Sequence, residues 1–346
     1  MPIPKATPPT PAAEAITDAL GRPLRDLRIS VTDRCNFRCT YCMPKEVFGR
    51  DYKFLARDQI LTFEEVARVS RIFAGLGVRK LRLTGGEPTV RSGITDLVGM
   101  LAAIEGIDDL AMTTNGSRLA KMSRELKDAG LRRVTVSLDS LDDSRFRAMS
   151  DAEYPVSQVL DGIEAAREAG LTPVKINVVV KRGVNEADAL AIVRRFPGPD
   201  YAVRFIEYMD VGTTNGWRMD EVVPAAELID MLGRELPLEA VDPAYRGEVA
   251  RRYRTTDGGE IGVVTSVTLP FCGDCTRLRL SADGRLYTCL FATRGHDLRS
   301  PLRSGASDEE IAAFVRGIWS QRTDRYSEQR TQRTTDDKVE MSYIGG

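Results

Sequence analysis

Leu27-Arg28-Ile29-Ser30-Val31-Thr32-Asp33-Arg34-Cys35-Asn36-Phe37-Arg38-Cys39-Thr40-Tyr41-Cys42 is the stretch on which the reading of this 346-residue chain turns. Its first five residues alternate apolar and polar side chains, the pattern of a β-strand. Its last eight hold three thiols as Cys-x3-Cys-x2-Cys, with no fourth cysteine or histidine nearby. The other three cysteines, Cys272, Cys275 and Cys289, form a second trio, and His296 is the single histidine. Structural zinc takes four protein ligands, and one histidine cannot complete both trios. Disulfides belong to oxidising compartments, and the opening residues carry no secretory signal. Iron–sulfur clusters are held by cysteine thiolates, normally four, so each trio leaves one iron open to another ligand. The second trio, Cys-x2-Cys-x13-Cys, is by itself also compatible with half of a zinc motif.

Outward from Leu27, short apolar runs alternate with amphipathic stretches. Strands are predicted at Leu27–Val31, Lys80–Leu83, Leu110–Thr113, Arg133–Leu138, Val174–Val180 and Ala202–Ile206. Between them, Phe63-Val66-Val69-Ile72-Phe73, Leu119-Met122-Leu126 and Val159-Ile163-Ala166 carry helical spacing. Strands alternating with helices predict βαβ units and a parallel sheet. Eight such units close a TIM barrel; six predict an α/β fold with an incomplete (βα)6 TIM-like barrel. A doubly wound open sheet is the alternative. After Gly212 the pattern changes to a helix at Pro224–Leu232 and β-like runs at Gly247–Arg254, Glu260–Val267 and Thr276–Tyr287. Asp283-Gly284 reads as a hairpin turn, and a helix follows at Asp308–Ser320. The expected organisation is a flexible tail over 1–20, a barrel over 21–245, and a small α+β extension over 246–346. The extension carries the second trio and ends in Gly345-Gly346.

Lysine and arginine total 49 against 50 aspartate and glutamate, a net charge of −1. That balance argues against nucleic acid or an acidic membrane as partner, so an anionic ligand needs a local basic cluster. No apolar run approaches the roughly 18 residues of a membrane span. Free cysteines without an export signal make the cytoplasm the expected location.

Strands buried on both faces should be nearly continuous Val, Ile and Leu. Here Arg28 and Ser30, Arg82 and Thr84, Thr113 and Asn115, Ser137 and Asp139, and Lys175 and Asn177 fall on common faces at period two, and Arg204 lies in the sixth strand. Burying these without partners costs several kcal/mol each, so a wet or ligand-filled lumen is expected. Gly85-Gly86-Glu87-Pro88 follows the second strand. Its glycines permit close approach of backbone to a ligand, and Glu87 offers an acceptor for an ammonium group. Taken alone, the run also reads as a strand-to-helix turn closed by proline.

Cys-x3-Cys-x2-Cys after a first strand and Gly-Gly-Glu-Pro after a second resemble the radical S-adenosylmethionine (SAM) superfamily. Gly21–Cys35, Cys42-Met43-Pro44, Arg204-Phe205-Ile206-Glu207-Tyr208-Met209 and Ile344-Gly345-Gly346 narrow the likeness. They resemble the molybdenum cofactor biosynthesis protein A family, whose members are GTP 3',8-cyclases, from about Gly21 to the last residue. The resemblance implies two [4Fe–4S] clusters, one on Cys35, Cys39 and Cys42 that binds SAM, the other on Cys272, Cys275 and Cys289 facing guanine. It implies SAM contacts from Tyr41, Gly86, Ser137 and Met209 with Glu87 and Asn115 in support. GTP contacts fall to Arg28, Arg82, Thr113, Lys175, Arg277, Leu278 and Arg279, with Arg204 adding charge. The implied lyase reaction is abstraction of the ribose 3' hydrogen by a 5'-deoxyadenosyl radical, then C3'–C8 bond formation to 3',8-cyclo-7,8-dihydro-GTP. Gly345 and Gly346 are implied to reach the active site. An external electron donor, a downstream pterin-forming synthase and a homodimer complete the expectation. The residues alone leave open a peptide-modifying radical enzyme, a non-catalytic iron–sulfur sensor and a zinc structural protein.

Overall fold

The computed structural model describes residues 15–245, 247–330 and 338–345. The strands are β1 Asp26–Ser30, β2 Lys80–Thr84, β3 Asp109–Thr114, β4 Arg133–Ser137, β5 Val174–Val180, β6 Tyr201–Glu207, β7 Leu238–Val241, β8 Ala250–Thr255, β9 Glu260–Val264, β10 Arg277–Leu280, β11 Arg285–Tyr287 and β12 His296–Asp297. The helices are α1 Phe63–Gly75, α2 Ile94–Ala102, α3 Leu119–Asp128, α4 Asp143–Ser150, α5 Val156–Glu168, α6 Ala189–Arg195, α7 Ala225–Gly233, α8 Arg299–Arg303, α9 Asp308–Ser320, α10 Tyr326–Gln329 and α11 Met341–Ile344. Among the described residues no helix is long and apolar enough to cross a membrane.

One sheet runs β12-β11-β10-β1-β2-β3-β4-β5-β6-β9-β8-β7. The first six strands lie in chain order without a switch point, which rules out the doubly wound alternative. Parallel pairing extends past them, β10 joining β1 and β9 joining β6, before antiparallel partners take over. The C-terminal extension, expected as a small antiparallel cover, thus continues the barrel sheet at both edges. The sheet is curled, because one cavity is lined by Arg28, Arg82, Thr113, Thr135, Asn177 and Arg204 of β1 to β6 together with Val264 of β9 and Arg279 of β10.

Period two sorts the strand side chains. Leu27, Ile29, Leu81, Leu83, Val134, Val136, Ile176, Val178, Val203 and Phe205 are buried in the main core against the helices, and the intervening polar residues face the lumen. The helices have legible ends. Thr62 accepts from the Glu65 N–H while the Glu65 carboxylate accepts from the Thr62 N–H, a capping box that starts α1.

Residues 15–20, placed within the flexible tail expected over 1–20, are docked against the barrel. The Ile16 N–H donates to Leu76 O at 3.2 Å, Leu24 N–H donates to Ile16 O at 2.9 Å, and Ala15 and Asp18 are buried. Apolar and ionic contacts outweigh the poor local propensity of this segment. The rest of the tail, residues 1–14, lies outside the described residues, as does Gly346.

Gly162, inside α5, offers a test of the packing. Alanine is ordinarily better than glycine in a helix by about 1 kcal/mol. A Cβ here would lie 2.5 Å from the Gly116 carbonyl oxygen and 3.1 Å from Leu119 Cβ, and backbone cannot yield cheaply. Gly162→Ala is therefore expected to destabilise, by about 1–3 kcal/mol, in a denaturant melt.

Candidate active site

The lumen is a cavity of about 1370 Å³, open mouth included. Strand register arranges its charges in rows. At the N-terminal end, Arg277, Asp26, Lys80 and Asp109 sit opposite one another across β10, β1, β2 and β3, alternating in sign. Lys80 Nζ lies 3.4 Å from Asp26 and 3.7 Å from Asp109, which also pairs with Arg133. Two residues further along the same face the row is Arg279, Arg28 and Arg82. Like charges directly opposite each other are destabilising, and no carboxylate joins them. Arg28 has no hydrogen bond or ion pair among the described residues. Arg82 has only hydroxyl partners, donating to Thr113 and Thr135 Oγ1 at 3.0 Å each.

The next strands add more positive charge. Lys175 stands in register with Thr135 and likewise has no partner among the described residues. Arg204 reaches Glu248 at 3.8 Å, and its Nε is buried without a hydrogen bond. Burial, then the neighbouring cations, holds these groups low: Arg28 well below its usual value, Arg82 at about 10, Arg279 at about 9 and Lys175 at about 6. So much buried positive charge calls for a polyanion, and guanidinium forks suit phosphate oxygens.

The first cysteine trio lies in the loop after β1. Arg38 Nη1 donates to the carbonyls of Cys35 and Phe37 at 2.8 Å, and its Nε to Phe48 O at 2.8 Å. Phe37 stacks on Tyr154 at 5.7 Å. The glycines after β2 approach this loop: Gly86 N–H donates to Thr32 O and Glu87 N–H to Arg34 O, both at 2.8 Å. A Cβ on Gly86 would fall 2.3 Å from Arg34 O. Glu87 is fully engaged within the protein. Its Oε1 accepts from Thr89 N–H at 3.0 Å and from the Thr89 and Thr114 hydroxyls, and Oε2 accepts from Asn115 N–H at 2.7 Å. It braces the site, where the sequence suggested an ammonium acceptor. Asn115 Nδ2 donates to Asn36 Oδ1 at 2.9 Å and lies 4.0 Å from Cys35 Sγ. Tyr41 and Met209 line the lumen. The Tyr41 hydroxyl donates to Asp139 Oδ2 at 2.6 Å, and Ser266 donates to Met209 Sδ at 3.6 Å. Ser137 ends β4 without a partner among the described residues.

The second trio also lines the lumen. Cys272 and Cys275 flank a single tight turn, and Cys289 follows β11. Burial acts to raise the Cys275 thiol, yet Arg277 and Arg322 outweigh it and leave it near 6, with Arg277 Nη2 donating to the sulfur at 3.4 Å. All six cysteines are free. Among the described residues no three Cys, His, Asp or Glu side chains converge as ligands of one metal ion. A cluster, which offers each thiolate its own iron, does not require that convergence. N–H donors already point at sulfur in both trios, from Phe37 to Cys35 and from Phe291 to Cys289. Both donor sets fit iron–sulfur clusters.

The radical SAM superfamily model matches residues 29–196, and the molybdenum cofactor synthesis C model matches residues 201–328. The GTP 3',8-cyclase of Acidothermus cellulolyticus is similar at 52% identity, covering 96% of this chain and 99% of that protein. That of Staphylococcus haemolyticus is similar at 48%, with the same coverage. The chain belongs to the GTP 3',8-cyclase family. Streptococcus suis SuiB bound to S-adenosylmethionine shares the fold, with a TM-score of 0.57 at 14% identity over 92% of this chain and 76% of that one.

In this family member the C-terminal residues enter the lumen. Arg279 Nη1 donates to the Gly345 carbonyl, and a Cβ on Gly345 would fall 2.2 Å from Thr84 Cγ2. Glu340 takes the hydroxyls of Thr213 and Thr214 at 3.0 and 2.9 Å. Asp210, beside Met209, gathers Tyr326, Arg330 and Lys338 at 2.6–2.7 Å. The resemblance implies a GTP contact from Leu278, and its side chain does not face the lumen. It is fully buried in the helix-facing core between Arg277 and Arg279, so only its backbone can meet a ligand. Asp139 and Asn177 stood out in sequence merely as polar residues sharing a face with Ser137 and Lys175, and Thr135 and Asp210 were not singled out.

Lys175 gives the site a pH signature. A bound anion favours its charged form, so its contribution to affinity is fully present below about pH 6, declines as pH rises above that value and is gone above the bound-state pKa. At pH 8, where phosphate is fully ionised, binding of GTP is expected to take up close to one proton. Calorimetry in two buffers of different ionisation heat should show this, and Lys175→Met should abolish it.

Proposed function

We propose that Arg28 and Arg82 of the all-cation row, with the cations of the neighbouring strands, form a triphosphate seat, and that the chain is a GTP 3',8-cyclase using two [4Fe–4S] clusters and SAM. The observation that carries the reading is the contrast between the rows. On one face of β10, β1, β2 and β3, Arg277, Asp26, Lys80 and Asp109 alternate in sign and offset one another, while Arg279, Arg28 and Arg82 on the same face do not.

The residues then divide the work. Cys35, Cys39 and Cys42 hold the cluster that binds SAM, and Glu87 and Asn115 fix that loop from behind. Tyr41, Gly86, Ser137 and Met209 surround the SAM. Arg28, Arg82, Thr113, Lys175 and Arg204 hold the triphosphate, and Arg277 and Arg279 with the Leu278 backbone orient the base toward the cluster on Cys272, Cys275 and Cys289. When bound, the clusters and SAM supply the one-electron chemistry that removes the ribose 3' hydrogen and allows C3' to join C8. The chain's own share is placement. Anchoring the triphosphate removes the freedom of the ribose relative to the SAM pocket, and the C-terminal segment keeps water from the lumen. The free thiols fit a reducing compartment, the cytoplasm. An external donor supplies the electron, and a pterin-forming synthase takes up the product.

Anaerobic incubation of the reconstituted protein with GTP, SAM and dithionite tests this reading. Mass analysis should find 5'-deoxyadenosine together with a nucleotide isomeric with GTP. Cleavage of SAM without a nucleotide product would point instead to a radical enzyme with a different substrate. Removing Gly345 and Gly346 deletes the partner of Arg279. It should reduce cyclisation at least roughly tenfold, the worth of one charge-assisted hydrogen bond, with iron content unchanged. Unaltered turnover would dismiss the role of the tail.

A further inference from the structure

Three buried ionic residues have no role in the account so far. Asp18, Arg22 and Arg322 are 6%, 0% and 4% exposed. One carboxylate serves both guanidiniums, Asp18 Oδ2 lying 2.6 Å from Arg22 Nε and 3.1 Å from Arg322 Nη1. Asp18 Oδ1 accepts from the N–H groups of Leu20 and Arg22, each at 2.9 Å. The far ends of both forks reach the loops of the second cysteine trio. Arg22 Nη1 donates to Cys272 O and Asp324 O at 2.8 Å. Arg322 Nη1 donates to Cys275 O at 2.9 Å, and its Nε to Thr288 O, beside Cys289, at 3.0 Å. Trp319 of α9 fixes the set, donating Nε1 to Arg22 O at 3.2 Å, with its ring 4.6 Å from the Arg322 guanidinium.

A buried ionic triad is weak evidence for stability, since apolar side chains of similar size often do as well or better. What apolar side chains cannot do is present aimed N–H donors to four carbonyls at chosen points. Two of those carbonyls belong to cysteines, a third to the residue before a cysteine, and the fourth to Asp324. Groups behind the ligands of a metal site commonly set ligand orientation and affinity, and hydrogen bonding and charge around a cluster set its potential.

We propose that Asp18, Arg22 and Arg322 are positioning residues for the C-terminal cluster. They hold Cys272, Cys275 and Cys289 in the arrangement that accepts it, and they act on that cluster alone. The segment ahead of β1 is then part of the cluster's foundation. The proposal rests on the two-cluster reading above.

The test is anaerobic reconstitution of the full chain carrying Asp18→Asn or Arg322→Lys. The second change keeps the charge but loses the fork. A Cys272→Ala, Cys275→Ala, Cys289→Ala variant supplies the reference for a chain with the N-terminal cluster only. Asp18→Asn should lower iron from about eight to about four per chain. Arg322→Lys should give an intermediate count and an altered electron paramagnetic resonance spectrum of the C-terminal cluster. In both, SAM cleavage without nucleotide should stay within about twofold of wild type, which also shows that the barrel is folded. Full iron with an unchanged spectrum would overturn the proposal. So would parallel loss of both clusters and of SAM cleavage, the mark of a general structural role. Wild-type iron no higher than in the triple-cysteine variant would bring down the two-cluster reading itself, and this proposal with it.

Discussion

Guanidinium groups set directly opposite one another across three strands repel, and the fold around Arg279, Arg28 and Arg82 holds them there nonetheless. The means lie on the other side of the sheet. Between those arginines the strands send Leu27, Ile29, Leu81, Leu83, Leu278 and Leu280 into the main apolar core, and that burial sustains the curled sheet whatever faces the lumen. The free protein therefore keeps electrostatic stress in a region it can carry at little structural risk. Local rules are broken where the ligand belongs, and obeyed elsewhere.

The two cysteine trios stand in different relations to this charge. The first is held by the backbone at Gly86, by the amides of Asn115 and Asn36, by the Glu87 carboxylate, and by the Arg38 guanidinium on the carbonyls of Cys35 and Phe37. The second lies among cations, with Arg277 at Cys275 and Arg322 behind it. A thiolate among cations is stabilised, and against its burial Cys275 is held near 6 by Arg277 and Arg322, whereas burial and Asp324 push the Cys289 thiol up to about 12. The all-cation row lines the same cavity as Cys272, Cys275 and Cys289, and the first trio lies in the loop that follows β1.

Much of this was legible in the chain. The six barrel strands fell within about two residues of their predicted bounds, because period-two alternation and intervening helices are strong local signals. The candidate cations were visible as charges on strands that ought to have been apolar. Two kinds of feature were hidden. Residues 15–20 were placed in the tail because the family likeness begins at about Gly21 and nothing local says that Asp18 meets Arg322 from the far end of the chain. The edge strands β9 and β10 read as a separate antiparallel unit, because pairing partners are fixed by the closing of the sheet rather than by strand sequence. The commitment of the Glu87 carboxylate to Thr89, Thr114 and Asn115 was also hidden, for a motif gives position without showing which groups a carboxylate already serves. Leu278 was carried by its neighbours, although alternation along β10 turns it the other way.

The close passage of Gly86 over the Arg34 backbone, with no space for even a methyl group, has an architectural consequence. The loop after β1 and the loop after β2 were moulded against each other and form a single casting. A chimera that imported one of them from a distant relative without its mate would leave either a collision or a gap beneath the iron, so these two segments should be inherited, engineered and exchanged only as a pair.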